Sequence, residues 1–333
     1  MKYKVSVIIP FQKETDYLAE TLEALKRITH KNVEVILLSD GPMGVTFIQK
    51  HLNAFPFSYK IIETGPVSPA VKRDRGAECS SGEILAFIDD DAYPAPDWLD
   101  KALPYFSDEQ ICAAGGPQLT PPNDGLWEKI SGAVFLSPLN GAAVCRYWPE
   151  GKPKSVDDWP SVNLLVRKAD FIRVGGFNSE YWPGEDTKLC LDLVKLGKKI
   201  MYVPEMIVYH HRRRGFRRHM RQVGNYGLHR GFFAKKYPDT SLKVMYFLPA
   251  CFFLFIIFGW ILIFMKLSAV YYFLWVLYVT ALIVSTVSIT KKVKSLMVSL
   301  GTVPYLVGTH FWYGFRFLQG FLCKSELKSK LGR

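Results

Sequence analysis

Gly82-Glu83-Ile84-Leu85-Ala86-Phe87-Ile88-Asp89-Asp90-Asp91 is the stretch on which the reading of this chain turns. A short apolar run ending in clustered carboxylates is a buried strand whose carboxyl tip emerges into a cleft. In open α/β sheets, ligands bind at such tips. Three adjacent aspartates repel one another. A divalent cation offsets that cost, because hard cations take carboxylate oxygens. In an extended segment Asp89 and Asp91 point to one side and Asp90 to the other, so Asp89 and Asp91 are the pair to meet a metal-bound diphosphate. A solvated turn, with Asp91 capping a helix, is the plainer alternative.

Upstream, Ser68-Pro69 opens a helix that Gly82 closes, the cap-and-proline pattern of a helix start. It carries Lys72, Arg73, Asp74 and Arg75. A basic helix feeding an acidic tip suits a nucleotide diphosphate. Further upstream, Val5–Pro10 is a β-branched run stopped by proline, and Leu18, Leu22, Leu25 and Ile28 recur at helical spacing. Residues 33–38 form a second buried strand, ended by Ser39-Asp40-Gly41. Strand, helix and strand within about forty residues make a βαβ unit and so a parallel sheet. Asp40 sits where a carboxylate commonly bonds a base or ribose, or else in an ordinary Asp-Gly turn.

Downstream, residues 111–116 read as a strand, and residues 120–158, rich in Pro, Gly and Trp, as a long functional loop region. The loop at 121–159 is expected to select the acceptor. Residues 163–167 and 199–203 read as strands, Gly175-Gly176 as a turn. Gly184-Glu185-Asp186 precedes a helix whose buried stripe is Leu189, Leu193 and Leu196. Acidic residues there can be plain dipole partners. The basic run 210–221, placed on a helix, brings Arg214, Arg218, Gln222, Asn225 and His229 near one face. It serves either as a solvated juxtamembrane segment or as a binder of lipid phosphate and donor diphosphate.

The chain has 333 residues and a net charge of +12, which suits anionic lipid or an anionic substrate. Residues 244–265 and 269–289 carry no charge, and each run is long enough to cross a hydrocarbon core of about 30 Å. The short turn Lys266-Leu267-Ser268 makes them a hairpin. Val5 to Ile9 is too short for a signal-peptide core, so the soluble part is expected in the cytosol. Lys235, Lys236 and Lys243 before the hairpin and Lys291, Lys292 and Lys294 after it follow the positive-inside pattern. The expected location is therefore the cytoplasmic (inner) cell membrane, crossed more than once. Segment 296–322 carries His310, Arg316 and Gln319. With the basic tail Lys324, Lys328, Lys330 and Arg333 behind it, it reads as an interfacial or re-entrant helix, a third span being the alternative. Six scattered cysteines without a CxxC pair argue against zinc.

In order and spacing, these motifs resemble the family 2 glycosyltransferases, which have the GT-A fold. The matching stretches are Val5-Ser6-Val7-Ile8-Ile9-Pro10, Ser39-Asp40-Gly41, Lys72-Arg73-Asp74-Arg75-Gly76, the run from Gly82 through Asp91 to Pro94, Val174-Gly175-Gly176-Phe177 and Gly184-Glu185-Asp186. The resemblance covers about residues 4–236. It implies a GT-A domain at 1–236, with a nucleotide-binding half at about 1–118 and an acceptor half at about 119–236. A membrane domain at 237–333 follows.

The resemblance also implies roles. Asp40 contacts the base, and Pro10, Arg73, Asp89 and Asp90 line the donor site. Asp89 and Asp91 hold a divalent cation, Mn²⁺ or Mg²⁺. Asp186 is the general base that inverting transfer needs. Glu185, Gln222, Tyr226 and His229 are expected at the acceptor side or active-site rim. Asp74 departs from the family's usual Asn, so no direct role is assigned to it. The processive QxxRW motif has only Gln222-Val223-Gly224-Asn225-Tyr226 as a counterpart, which points to transfer of single sugars.

The expected partners are a nucleotide-sugar donor, a membrane-proximal or polyprenyl-linked saccharide acceptor, and membrane lipid. No nucleic-acid module accompanies the basic run, and no nucleic-acid partner is expected. A non-catalytic membrane protein that binds nucleotide or anionic lipid is the rival reading.

Overall fold

The computed structural model describes residues 3–323 and 327. The basic tail residues Lys324, Lys328, Lys330 and Arg333 lie outside the described residues. Two compact units emerge: residues 3–119 with Trp148–His211, and Thr120–Tyr147 with Arg212–Leu327. Residues 120–147 and 212–236, read from the sequence with the acceptor half, thus belong to the second unit.

The first unit starts β1 (Val5–Pro10), α1 (Asp16–Leu25), β2 (Val33–Ser39), α2 (Val45–His51), β3 (Ser58–Glu63), α3 (Pro69–Cys79) and β4 (Ile84–Phe87). Thr15 caps α1 by accepting from Leu18 N, and Ser68 caps α3 by accepting from Val71 N, as expected of hydroxyl N-caps. It continues with β5 (Ala92–Pro94), α4 (Trp98–Ala102), β6 (Ile111–Gly115) and β7 (Gln118–Leu119). Helix α5 (Leu126–Val134) belongs to the second unit. β8 (Lys154–Val156), β9 (Leu164–Arg167), α6 (Lys168–Arg173), α7 (Glu185–Lys195), β10 (Lys199–Tyr202) and β11 (Val208–His210) return to the first.

Among the described residues, eight strands form one sheet in the order β3-β2-β1-β4-β9-β6-β10-β8. The pairs from β3 to β4 are parallel, β9 runs antiparallel between β4 and β6, and β10 is parallel to β6. Strands β1, β2 and β4 are buried along their whole length, as expected when helices cover both faces of a parallel sheet. Leu18, Leu22 and Leu25 of α1 share one core with Val7, Ile9, Val35 and Leu37. A small sheet β5-β11-β7 stands at the carboxyl end of β4.

The second unit contains α5, α8 (Phe216–Lys236), α9 (Pro238–Ser241), α10 (Val244–Phe258), α11 (Ile261–Phe264), α12 (Ser268–Val293) and α13 (Leu296–Leu322). Two expectations are corrected here. The basic run is not one helix: His210 ends β11, and α8 begins only after Gly215, so Arg214 is not on it. Nor is 120–158 a loop throughout, because α5 sets Ile130, Ala133 and Val134 on a buried face.

Helix α12 is long and apolar enough to cross a membrane. The run 244–265 is not one helix of that length: α10 ends at Phe258. Trp260 Nε1 there donates to the Ile257 carbonyl (2.8 Å), which occupies an acceptor of the last turn. Helix α13 lies against α8 at backbone contact. A Cβ at Gly231 would stand 2.0 Å from the Phe317 carbonyl oxygen, and one at Gly320 would stand 1.9 Å from that of Leu228.

Candidate active site

The aspartates do not continue β4 as an extended segment. Ala92 N donates to the Asp89 carbonyl (3.2 Å), so Asp89, Asp90 and Asp91 form a turn. The turn nonetheless brings the expected pair together. Ligand atoms of Asp89, Asp91 and His210 all lie within 4.8 Å of one another; Asp89 and Asp91 are half-buried and His210 is buried. The Asp90 backbone carbonyl accepts from Thr21 Oγ1 at 3.4 Å.

His210 is placed by the small sheet, where it pairs with Ala92 across the β5–β11 ladder. Its Nδ1 lies 2.5 Å from Gln118 Oε1. With the amide so oriented, Nδ1 carries the proton and Nε2 presents a lone pair. That Nε2 lies 3.1 Å from Asp91 Oδ1. Two acceptors at this distance require a proton or a cation between them. A carboxylate pair with an outward-bonded imidazole is a donor set that Mn²⁺ or Mg²⁺ accepts, and the carbonyl on the far nitrogen is the usual orienting partner of a ligating histidine. The residues present therefore fit a divalent cation.

A fully buried asparagine holds these ligands in register. Asn163 Nδ2 donates to the carbonyls of Pro117 (3.0 Å) and Met206 (2.8 Å), and its Oδ1 accepts from Trp98 Nε1 (2.8 Å). This ties the entries to β7 and β11, the strands that supply Gln118 and His210.

Helix α3 supplies the cations. Arg73 is 3 % exposed. Its Nη2 donates to Asp89 Oδ1 (2.6 Å) and its Nη1 to Glu185 Oε1 (3.1 Å). Burial acts to lower the Arg73 pKa, but the carboxylates of Asp89 and Glu185 outweigh it and keep the guanidinium firmly charged. Burial pushes the Glu185 carboxyl up, against the pull of Arg73. Glu185 was expected at the active-site rim. It is buried, with its carboxylate paired to the Arg73 guanidinium. Lys72, also buried, donates to Asp40 Oδ1 (2.5 Å) and to the Phe11 carbonyl just beyond Pro10. Asp40 and the end of β1 are thereby fixed to one ammonium.

Asp186 opens α7 and is half-buried, its Oδ1 accepting from Thr187 N (2.8 Å). Thr187 Oγ1 in turn donates to Asp158 Oδ1 (3.3 Å). Asp40, Arg73, Asp89, Asp91, Glu185 and Asp186 all belong to the first unit. Gln222, Tyr226 and His229 belong to the second, on α8. There Gln222 Nε2 donates to the Tyr226 hydroxyl (3.0 Å), and His229 Nδ1 bonds its own helix at the Asn225 carbonyl (2.9 Å).

His210, Gln118 and Lys72 were not picked out from the sequence as site residues. For His210 the signal was present: a β-branched and aromatic triplet, Val208-Tyr209-His210, ending in a ligating side chain.

A parallel half-sheet, an antiparallel strand inserted after β4, and carboxylates at the β4 tip define the GT-A class of fold. Residues 6–165, just under half of the chain, match the model of glycosyl transferase family 2. A mannosyltransferase from Pyrobaculum calidifontis, solved with GDP-Man and Mn²⁺, superposes with a TM-score of 0.59 at 17% identity. The match covers 98% of this chain and 89% of that one. The pre-mycofactocin glycosyltransferase of Mycobacterium tuberculosis is 24% identical over 72% of this chain and 50% of its own. The chain thus spans about half the length of the first curated relatives it matches. A dolichyl N-acetyl-alpha-D-glucosaminyl phosphate 3-beta-D-2,3-diacetamido-2,3-dideoxy-beta-D-glucuronosyltransferase of Methanococcus voltae is 20% identical over 93% of this chain and 95% of its own.

Proposed function

We propose that this chain is a metal-dependent, inverting, non-processive glycosyltransferase. It moves one sugar from a nucleotide-sugar donor to a lipid-linked saccharide acceptor at the cytosolic face of a membrane. The observation that carries this reading is the convergence of Asp89, Asp91 and His210 at the carboxyl end of β4, with Arg73 joining that cluster to the Glu185-Asp186 turn.

A divalent cation bound there, Mn²⁺ or Mg²⁺, supplies positive charge to the leaving diphosphate. The chain's own residues do the rest. Asp40, held by Lys72, accepts a hydrogen bond from the base. Arg73 keeps one Asp89 oxygen engaged, and Asp89, Asp91 and His210 would hold the cation. Asp186 takes the proton of the acceptor hydroxyl while the hydroxyl oxygen bonds the anomeric carbon. The bond from that carbon to the diphosphate oxygen breaks on the opposite face, and the nucleoside diphosphate carries the electron pair away.

Residues 237–333 act as the membrane domain, in which α10–α11 and α12 form the anchoring hairpin. Helix α13 lies at the interface, because α8, which it packs against, carries Arg217, Arg218, Arg221 and Arg230, and such charges are costly in hydrocarbon. The dolichyl-phosphate-linked substrate named for the Methanococcus relative supports a lipid-linked acceptor.

The test is nucleoside diphosphate release from a panel of nucleotide sugars by the full chain in detergent, with and without Mn²⁺ or Mg²⁺. Metal-dependent turnover of one donor is expected. Asp186→Asn should lower it by about 10²–10⁴-fold while nucleoside diphosphate affinity is unchanged. Full activity in that variant removes Asp186 as the base. Metal-independent indifference to every donor, with or without added polyprenyl phosphate sugars, refutes the reading.

A further inference from the structure

Asp74 is left unassigned by the site described above, yet its carboxylate is fully engaged. Oδ1 accepts from Phe177 N (2.8 Å) and Oδ2 from Asn178 N (3.1 Å). Two successive backbone donors aimed at one anion require an unusual backbone, and Gly175 and Gly176 supply it with φ of 81° and 75°. Gly176 is also required by space: a Cβ there would stand 2.5 Å from Asp74 Oδ1. The side chain of Phe177 is seated as well. Its ring is fully buried, 5.1 Å from Phe87 and 5.4 Å from the Arg73 guanidinium.

Phe177 begins the segment that ends at Glu185, next to Asp186. Arg73 bonds Glu185 at the far end of that segment. Two neighbouring residues of α3 therefore grip both ends of the segment 177–185.

We infer that Asp74 is a positioning residue: it fastens the start of the segment 177–185 to α3, as Arg73 fastens its end, and so sets where the Asp186 carboxylate stands. Both Asp74 oxygens are taken up by the backbone of this segment, so its loss acts on the acceptor half of the reaction. This inference rests on the assignment of Asp186 as the base. Asparagine can replace part of the function, because an amide oxygen still accepts one of the two N–H groups. Alanine replaces none.

The experiment uses the full chain in detergent and compares Asp74→Ala, Asp74→Asn and Gly176→Ala with the wild type. Three readouts are taken: amide hydrogen exchange over 177–186, affinity for UDP or GDP in the presence of Mn²⁺, and turnover with the donor found in the screen. Asp74→Ala and Gly176→Ala should exchange faster over 177–186 and lower kcat by about tenfold or more, with nucleoside diphosphate affinity kept within about twofold. Asp74→Asn should recover most of the turnover. If Asp74→Ala does not fold, the other two variants make the same comparison. Turnover near the wild-type level despite faster exchange overturns the inference, as does nucleotide affinity that falls in step with turnover. Should the wild-type chain turn over no donor at all, the proposed function fails, whereas unchanged exchange over 177–186 in Asp74→Ala overturns the clamp by itself.

Discussion

His210 offers the sharpest test of the cation site, because its two ring nitrogens do different work. Nε2 faces Asp91, and Nδ1 is bonded to Gln118. Replacing His210 by alanine removes one of three convergent ligands. Replacing Gln118 by leucine keeps the ligand and removes only what orients it. Loss of such an orienting partner typically costs about 10–100-fold in metal affinity, or roughly 1.4–2.8 kcal/mol. Loss of the ligand itself should cost more. The two effects are linked through one imidazole, so they should not add: Gln118→Leu should do almost nothing in a His210→Ala background.

The assay is the Mn²⁺ affinity of the full chain, read from the electron paramagnetic resonance of free Mn²⁺ with nucleoside diphosphate present. Affinity within about twofold of wild type in His210→Ala would refute the site, since even the loss of an orienting partner costs about tenfold or more. So would additive losses in the double variant, which would mean that Gln118 acts by some route other than the ring.

Three other outcomes follow from the packing. Arg73→Met leaves Glu185, only 5 % exposed, without its cation, and should destabilise by about 3–5 kcal/mol; adding Glu185→Gln should restore part of the thermal midpoint. Gly116→Ala would set a Cβ 1.8 Å from the Met206 carbonyl oxygen. The turn before β11 must move, so stability should fall by about 1–3 kcal/mol and Mn²⁺ affinity should fall with it. His219 is completely buried between Ser131 Oγ (2.8 Å) and Thr309 Oγ1 (3.1 Å), and burial holds its pKa down at about 4, against 6.5 when free. The unfolded chain therefore binds the proton first as pH falls. This contribution to stability is intact above pH 6.5 and is lost on the way down to pH 4, by about 3 kcal/mol in all. Unfolding in detergent at stepped pH should show that slope, and His219→Gln should flatten it.

The sheet was legible because buried parallel strands are written as uninterrupted apolar runs. Val5–Pro10, 33–38 and 84–88 could be little else. The aspartate pair was legible in outcome but not in cause. Alternation along a strand puts Asp89 and Asp91 on one side, yet the chain turns after Phe87 and the turn is what brings them together. His210 was hidden by its neighbours: a histidine followed by His211 and three arginines reads as the start of a charged run. The triplet Val208-Tyr209-His210 carries a strand signal, and the pairing of residues 92 and 210 separates it from that run. Helix α5 was obscured by the glycines and prolines around it, although Ile130, Ala133 and Val134 carry its period.

Three successive charged residues of α3 were legible as a basic helix start, but their separate duties were not. A helix turns about 100° per residue, so neighbours along it face different parts of the fold. Lys72 reaches the tips of β1 and β2, at Phe11 and Asp40. Arg73 reaches the tip of β4 and the start of α7, at Asp89 and Glu185. Asp74 reaches the glycine turn at Phe177 and Asn178. The tips of β1 and β2, the tip of β4 and the segment before Asp186 are thus each fixed to the same helix by a single side chain. Because α3 is a rigid element, a displacement of it shifts all three at once. Substitutions that loosen α3 without touching these side chains should therefore weaken nucleotide binding, Mn²⁺ binding and transfer together. Substitutions at Lys72, Arg73 or Asp74 should separate them, which distinguishes three anchors on one frame from a single diffuse loss of packing.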